Sequence, residues 1–510
     1  MFGCTKVGPD FKKITPEVNM PKNWDNNISN DELTEWWKVF GDKTLDTLIE
    51  KGYRQNLDIK AAGLRILQAR AALGISQGLY YPQIQTLSGS AFSSSVGGKN
   101  INSAGLNFDL GWEMDIWGKY ARGIESAKAN LYLSVASYQD IMVSVLAEIA
   151  YNYINYRISQ ERIIYAKRNI AIQEKVARMT EIQFNSGNVS ELDMQQANTQ
   201  LYSTRATLPS IELSKIKSRN ALAILLGMTN KKVDEILSRK KEVSSNYLTE
   251  NHDGIVQLKN DGKGPKGLSL IPQADFNPYE KLDASLLKRR PDVMAAEFKA
   301  KAASANIGKT KALLYPSFSL FGNIGYNTND MTGSWTPAGD AVGVSIGPTF
   351  SWNIFQYGRI KNQIRVQDAL FEESIVKYNK KLLQAVGEVS NALNGYTLTK
   401  KQLEENKKAL QATMRAFNLS AKQYNNGLVG YQRLLSTVQT LTRTQDIYAQ
   451  VKGLASINAI LLYKSLGGGW QISHGKSYIS DETKKDLRSR DTDWGDYLDD
   501  VKFKKVKADE

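Results

Sequence analysis

The chain has 510 residues, 42% of them hydrophobic, and carries 66 basic against 52 acidic side chains for a net charge of +14. That much apolar material excludes a largely disordered chain, and charges spread along the sequence without aromatics among the lysines exclude a nucleic-acid-binding patch. With two histidines, one cysteine and no carboxylate pair, triad or phosphate loop in a cleft-forming context, neither a metal centre, a cofactor nor an enzymatic activity is expected.

No run of 18 or more apolar residues occurs, so no membrane-spanning helix is expected; a β-barrel strand needs only about 10 alternating residues and stays open. In chain order, Gly3-Cys4 comes first, and a cysteine in that place is where a mature bacterial lipoprotein begins once its signal peptide is cleaved. Residues 12–34, with Pro16 and Pro21, read as an extended arm. A helix is expected from Thr44 to about Tyr80, ended by Tyr81-Pro82. The period then changes. Leu106, Phe108, Leu110, Trp112, Met114 and Ile116 alternate with Asn107, Asp109, Gly111, Glu113 and Asp115, a strand with one apolar and one carboxylate-bearing face. A weaker strand, Gln83 to Phe92, precedes it across a Ser/Gly/Asn-rich connection from Ser93 to Ala104.

From Ile124 to Ser186 there is neither glycine nor proline, and Gly187 ends the stretch. As one helix it runs about 95 Å. Its narrow stripe of Ile141, Val145, Ile149, Tyr153 and Tyr156 suits coiled-coil packing, which needs less apolar width than a globular core. A returning helix follows, and Pro209 predicts a kink in it.

The chain repeats itself. Gly74 and Tyr81-Pro82 recur at Gly308 and Tyr315-Pro316; Gln183-Phe184-Asn185-Ser186-Gly187 recurs at Gln423-Tyr424-Asn425-Asn426-Gly427, and Leu226-Gly227 at Leu466-Gly467. A register kept over so many positions is the mark of duplication. The expected division is an N-terminal arm (1–43); a first repeat (44–227) with strand pair 83–116, long helix 119–186 and return helix 188–227; an equatorial segment (228–285); a second repeat (286–467) with strand pair 317–355, long helix 359–426 and return helix 428–467; and a C-terminal tail (468–510). Four strands cannot close a barrel, and an open apolar-faced sheet leaves edges exposed, so the chain is expected to assemble: a dimer gives 8 strands and a trimer 12.

Several segments together resemble the TolC superfamily of outer-membrane channels, and more closely its lipoprotein branch serving RND pumps (OprM-like). They are Gly3-Cys4 with Val7-Gly8-Pro9-Asp10-Phe11, Trp36-Trp37-x2-Phe40-Gly41-Asp42, Asn56-Leu57-Asp58-Ile59, Arg289-Arg290-Pro291-Asp292-Val293 and Leu462-Tyr463-Lys464-x-Leu466-Gly467-Gly468-Gly469-Trp470. The resemblance implies an α+β membrane protein: a homotrimer whose strands form one 12-stranded β-barrel, continuous with a long α-helical coiled-coil barrel and girdled by an equatorial belt. That belt would be built from residues 228–285, with the insertion Asn251 to Gly267, and the tail. Within the tail, Lys476 to Glu510 is expected to be poorly ordered or to lie along the belt. The chain would be lipidated at Cys4 (a palmitate-bearing lipoprotein), seated in the bacterial outer membrane and reaching across the periplasm. It would act as the passive exit duct of a tripartite multidrug efflux pump, meeting a periplasmic adaptor (membrane fusion) protein and an inner-membrane RND transporter. Type I protein secretion or metal-ion efflux is the alternative.

The same resemblance places the gate at the far tips of the coiled coils, where Gly187 and Gly427 turn the chain. In the family an acidic ring follows the second glycine with a tyrosine before it. Tyr424 matches the tyrosine, but Arg433 and Ser436 occupy the acidic positions, while the first repeat keeps Glu191 and Asp193. Tyr424, Gln432 and Arg433 are the expected aperture lining. Glu191 or Asp193 is expected as the inter-hairpin partner, and both, with Gly187 and Gly427, as the adaptor contact.

Overall fold

The computed structural model describes residues 5–15, 33–238, 248–250, 256–258, 270–274, 276, 287, 289–330, 334–490 and 492–498. Cys4, most of the Asn251 to Gly267 insertion and the chain after Leu498 lie outside the described residues.

Helix α1 (Lys43–Gln55) starts on Asp42, whose carboxylate accepts from Thr44 N at 2.9 Å and Leu45 N at 3.3 Å. The single helix expected from Thr44 to Tyr80 is two. Asn56 leaves helical geometry at ψ 132° and caps α2 (Leu57–Gly78) by accepting from Ile59 N, while its amide donates to Leu225 O. A short polar side chain able to bond the backbone locally offers the chain this alternative to continuing the helix.

The first hairpin, β1 (Ile84–Val96) and β2 (Lys99–Met114), is longer than its alternation and turns tightly at Gly97-Gly98, both at positive φ. The Ser93 to Ala104 stretch, expected as a connection, is paired strand: Ala91 faces Ala104 and Ser93 faces Asn102. Small polar residues on both faces hide the period there, and the two glycines supply the left-handed turn that a two-residue hairpin needs. The second hairpin is β5 (Ser317–Asn329) and β6 (Val342–Ser351), with a separate short pair β3 (Leu248–Glu250) and β4 (Val256–Leu258) between. The strand expected to reach Phe355 ends at Ser351 because Ser317, its partner, is the first residue of β5. The main sheet is antiparallel in the order β1-β2-β5-β6. Its register sets Leu106 opposite Tyr326 and Phe108 opposite Ile324 on one face, Asp109 opposite Asn323 on the other. The apolar face is open: Leu106, Phe108, Ile324, Val344, Ile346 and Phe350 are all exposed.

The long helices α3 (Lys119–Asn185) and α7 (Arg359–Asn425) both have 67 residues, about 100 Å each. Their return helices, α4 (Glu191–Leu226) and α8 (Tyr431–Ser465), have 36 and 35, and the incoming helices α2 and α6 (Pro291–Lys311) have 22 and 21. These matched lengths are the duplication in physical form. Helix α4 continues unbroken through Pro209. One 18-residue window of α3 does reach a mean hydropathy of 1.2, against the expectation from apolar runs, yet 56% of it is buried inside the chain. Along its whole length the helix packs chiefly against α4, α6, α2 and α8.

Midway along the helices, residues 270–274 and Phe276 lie over α3, α7 and α8. Gln273 donates to Lys452 O and to Ser456 Oγ, Ser456 Oγ donates to Pro272 O, and Tyr396 donates to Ala274 O while stacking on Phe276. Beneath them Lys452 and Glu161 form a buried ion pair at 2.9 Å between α8 and α3. Burial outweighs the lysine and holds the Glu161 carboxyl above its ordinary value. Arg157, also buried, donates to Tyr153, Gln160 and Leu237 O, tying helix α5 (Asn230–Leu237) to the same wall. The described tail includes helix α9 (Asp481–Arg488), and its Tyr478 and Tyr497 lie against α2 so closely that Cβ atoms at Gly63 and Gly74 would meet Tyr478 O and Tyr497 Oη at 2.0 and 2.3 Å.

Candidate functional site at the helix tips

Both tips turn by the same backbone device. Gly187 has φ 74° and Gly427 φ 70°. Gly187 N donates to Phe184 O and Asn188 N to Gln183 O; Gly427 N donates to Tyr424 O and Leu428 N to Gln423 O. This is the Schellman pattern, which satisfies the last carbonyls of a helix and needs a left-handed residue that glycine adopts without cost.

Past the turns the repeats diverge. Ser190 caps α4 through a full capping box: Asp193 N donates to Ser190 Oγ, and Ser190 N and Oγ both donate to Asp193 Oδ2. Gly430, at the start of α8, has no side chain to cap with, and Arg433 stands where repeat one has Asp193. A cation in the first turn opposes the helix dipole, whose positive end lies there. Glu191 is exposed in the first turn of α4, where a carboxylate complements that dipole.

Of the three residues expected at the aperture, Gln432 and Arg433 are exposed, whereas Tyr424 is turned between the hairpins and buried. Its hydroxyl donates to Gln183 Oε1, joining repeat two to repeat one, and its ring meets Tyr431 edge-on at 6.2 Å. The two tyrosines sit in a small core with Ile172, Leu201, Phe417, Leu434 and Val438. Burial raises both phenols above their ordinary value, with the Asp193 charge adding to it and Thr180 opposing at Tyr424. Tyr431 carries a buried hydroxyl with no hydrogen-bond partner among the described residues, a feature that sequence spacing gave no sign of.

At the opposite end, where helices meet strands, the N-terminal segment is pinned. Val7 N donates to Trp117 O, and Arg122, almost fully buried, donates to Val7 O and Gly8 O and pairs with Asp10 at 2.8 Å. Gly8 lies so close to Gly308 that a Cβ would come within 2.4 Å of its Cα. The resemblance had singled out Val7 to Phe11 without saying what holds it.

A sequence profile described as "Outer membrane efflux protein" matches residues 48–228 and 283–468, one match on each repeat. The chain is 25% identical over 483 residues to the probable outer membrane lipoprotein SilC of Salmonella typhimurium, covering 92% of this chain and 96% of that protein. It is 24% identical over 482 residues to the cation efflux system protein CusC of Escherichia coli O157:H7, covering 92% and 97%. Among solved structures, the outer-membrane channel OprN superposes with a TM-score of 0.75 at 26% identity, over 91% of this chain and all of that one.

Proposed function

This chain belongs to the outer membrane efflux protein family, and from that premise we propose that it is the lipid-anchored exit duct of a tripartite efflux pump. It is an outer-membrane protein whose family and fold are those of efflux channels. The single observation that carries the rest is the combination of a four-stranded sheet with open edges at β1 and β6, an exposed apolar face, and a pair of 67-residue helices below it. Lipid covers such a face, and pairing with copies of the chain removes such edges. Three copies give a 12-stranded barrel whose lumen continues into a helical tunnel.

Several details support this reading. Val7, three residues after Cys4, is held at Trp117 where strands give way to helices, so acyl chains on Cys4 start within about 10 Å of that level. At the far end Gln432 and Arg433 line the aperture, Tyr424 braces the two hairpins behind them, and the turns at Gly187 and Gly427 with Glu191 and Asp193 meet a periplasmic adaptor that hands over from an inner-membrane RND transporter. Conduction is passive, with no catalytic step, and the cargo class is drugs or other small toxic compounds. A second reading, export of metal ions, is favoured by the likeness to CusC, a cation efflux system protein.

Extraction of the native protein in detergent, mass measurement and incorporation into planar bilayers test the duct. A trimer forming discrete channels is the expected result; a monomer that stays in solution without detergent would sink it. Replacing Arg433 by alanine is expected to raise the closed-state current, and an unchanged current would remove Arg433 from the gate.

A further inference from the structure

Which side of α8 faces the lumen follows from its neighbours. Helix α8 packs against α7 on one side and α3 on the other, so it sits inside the wall of its own chain. Its third side, at Lys452 and Ser456, is covered by the segment containing Pro272 and Gln273. Nine residues make about two and a half turns, so Arg443 lies on the side of the helix opposite Lys452. A stripe at alternating three- and four-residue steps runs through that free side: Arg433, Ser436, Thr440 and Arg443, all exposed, then the half-buried Ile447, and the exposed Gln450 and Leu454. With Pro272 and Gln273 against the Lys452 side and helices on both flanks, the stripe lies on the one side of α8 left bare, which in the duct is the side that meets the lumen.

The charge on the stripe has one sign. Between Tyr431 and Gln445 there is no aspartate or glutamate, and neither Arg433 nor Arg443 has an ion-pair partner among the described residues. Lys422, in the last turn of α7, adds a further exposed cation on the same hairpin. The nearest carboxylate on α8, Asp446, is held by Arg162 at 2.6 Å. The acidic side chains at the foot of the barrel are likewise engaged: Glu113 pairs with Lys119, and Asp115 accepts from Tyr120 N and Ala121 N at the start of α3. Arg433 also stands against the dipole of its own helix with no cap beside it, a placement that local stability does not favour.

We propose that Arg433 and Arg443 form two stacked cationic rings in the narrow end of the trimer, making the duct anion-selective and suiting it to anionic cargo. Rings of arginine in a constriction raise the local anion concentration and repel cations, because low-dielectric walls focus the field there. The two rings lie about 15 Å apart along the tunnel. This inference rests on the duct reading above, and it opposes the metal-cation alternative.

The test uses the intact trimer in a planar bilayer under a potassium chloride gradient. Chloride is expected to permeate about ten-fold better than potassium at low ionic strength. Arg433→Gln with Arg443→Gln is expected to bring the ratio to unity or below, while Arg433→Lys with Arg443→Lys preserves it. A cation-selective wild type, or a ratio that the double glutamine variant leaves unmoved, overturns the proposal. If no channels form, the duct reading falls, and the charge assignment is read directly on detergent-solubilised protein. In a Cys4→Ser background, Ser436→Cys is expected to react about ten-fold faster with an anionic than with a cationic thiol reagent. Equal rates, or a preference that survives loss of both arginines, overturn it.

Discussion

The two tip turns have the same backbone and different chemistry. Gly187 and Gly427 close their helices with φ values four degrees apart, 74° and 70°, and with the same pair of hydrogen bonds. In repeat one the next helix is capped by Ser190 and Asp193 and begins with the exposed Glu191. In repeat two it is uncapped, begins with the buried Tyr431 and carries Arg433. Duplication preserved what the backbone requires and released the rest. The first hairpin caps its return helix with side chains, while the second leaves its helix start uncapped and packs Tyr424 and Tyr431 into a small core shared with repeat one.

The strongest way to break this comparison is at the paired positions Tyr431 and Glu191. Tyr431→Ala is expected to lower the opening free energy of the second tip by about 3–5 kcal/mol, since it empties a buried aromatic site. Glu191→Ala should cost less than about 1 kcal/mol, the loss of an exposed dipole partner. Hydrogen exchange of the tip amides measures both. Next come the glycines. Gly187→Ala and Gly427→Ala should each cost about 1–2 kcal/mol, and equally, because nothing lies within 4 Å of either Cβ position and the cost is conformational alone. Unequal costs would mean that the turns differ in more than sequence.

Smaller effects sharpen the contrast. Ser190→Ala should cost about 1 kcal/mol through loss of the capping box. Tyr424→Phe, which makes the position resemble Phe184 of repeat one, should cost about 1 kcal/mol by removing the bond to Gln183. Tyr431→Phe is expected to leave stability unchanged or slightly higher, since its hydroxyl is buried without a partner among the described residues. The smallest effect is Gly430→Ser, which supplies the missing cap and should gain a few tenths of a kcal/mol.

Much of the fold was legible because it rests on local rules. The alternation from Leu106 to Met114 is a strand, and the stretch free of glycine and proline lies, up to Asn185, in a single helix that begins at Lys119. The errors came where local signals were silent. Asn56 looked like an ordinary helix residue because its contact with Leu225 is long-range. Ser93 to Ala104 looked like a loop because serine and asparagine carry no two-residue period. At the tips, sequence located the glycine turns but could not tell that Tyr424 faces inward, since its partner Gln183 belongs to the other repeat.

What the sequence alone determined is therefore the set of parts: two repeats, their long and return helices, the strand faces and the turns at Gly187 and Gly427. The repeats follow from motifs that recur along the chain, and the other parts from backbone geometry and periodicity within a few residues. The tertiary structure decided orientation. That Tyr424 braces the hairpins, that Val7 is pinned at Trp117, and that the Arg433 to Arg443 side of α8 is left bare all depend on contacts between segments far apart in the chain. A helix presents every side to its surroundings, and only packing settles which side meets protein and which meets water.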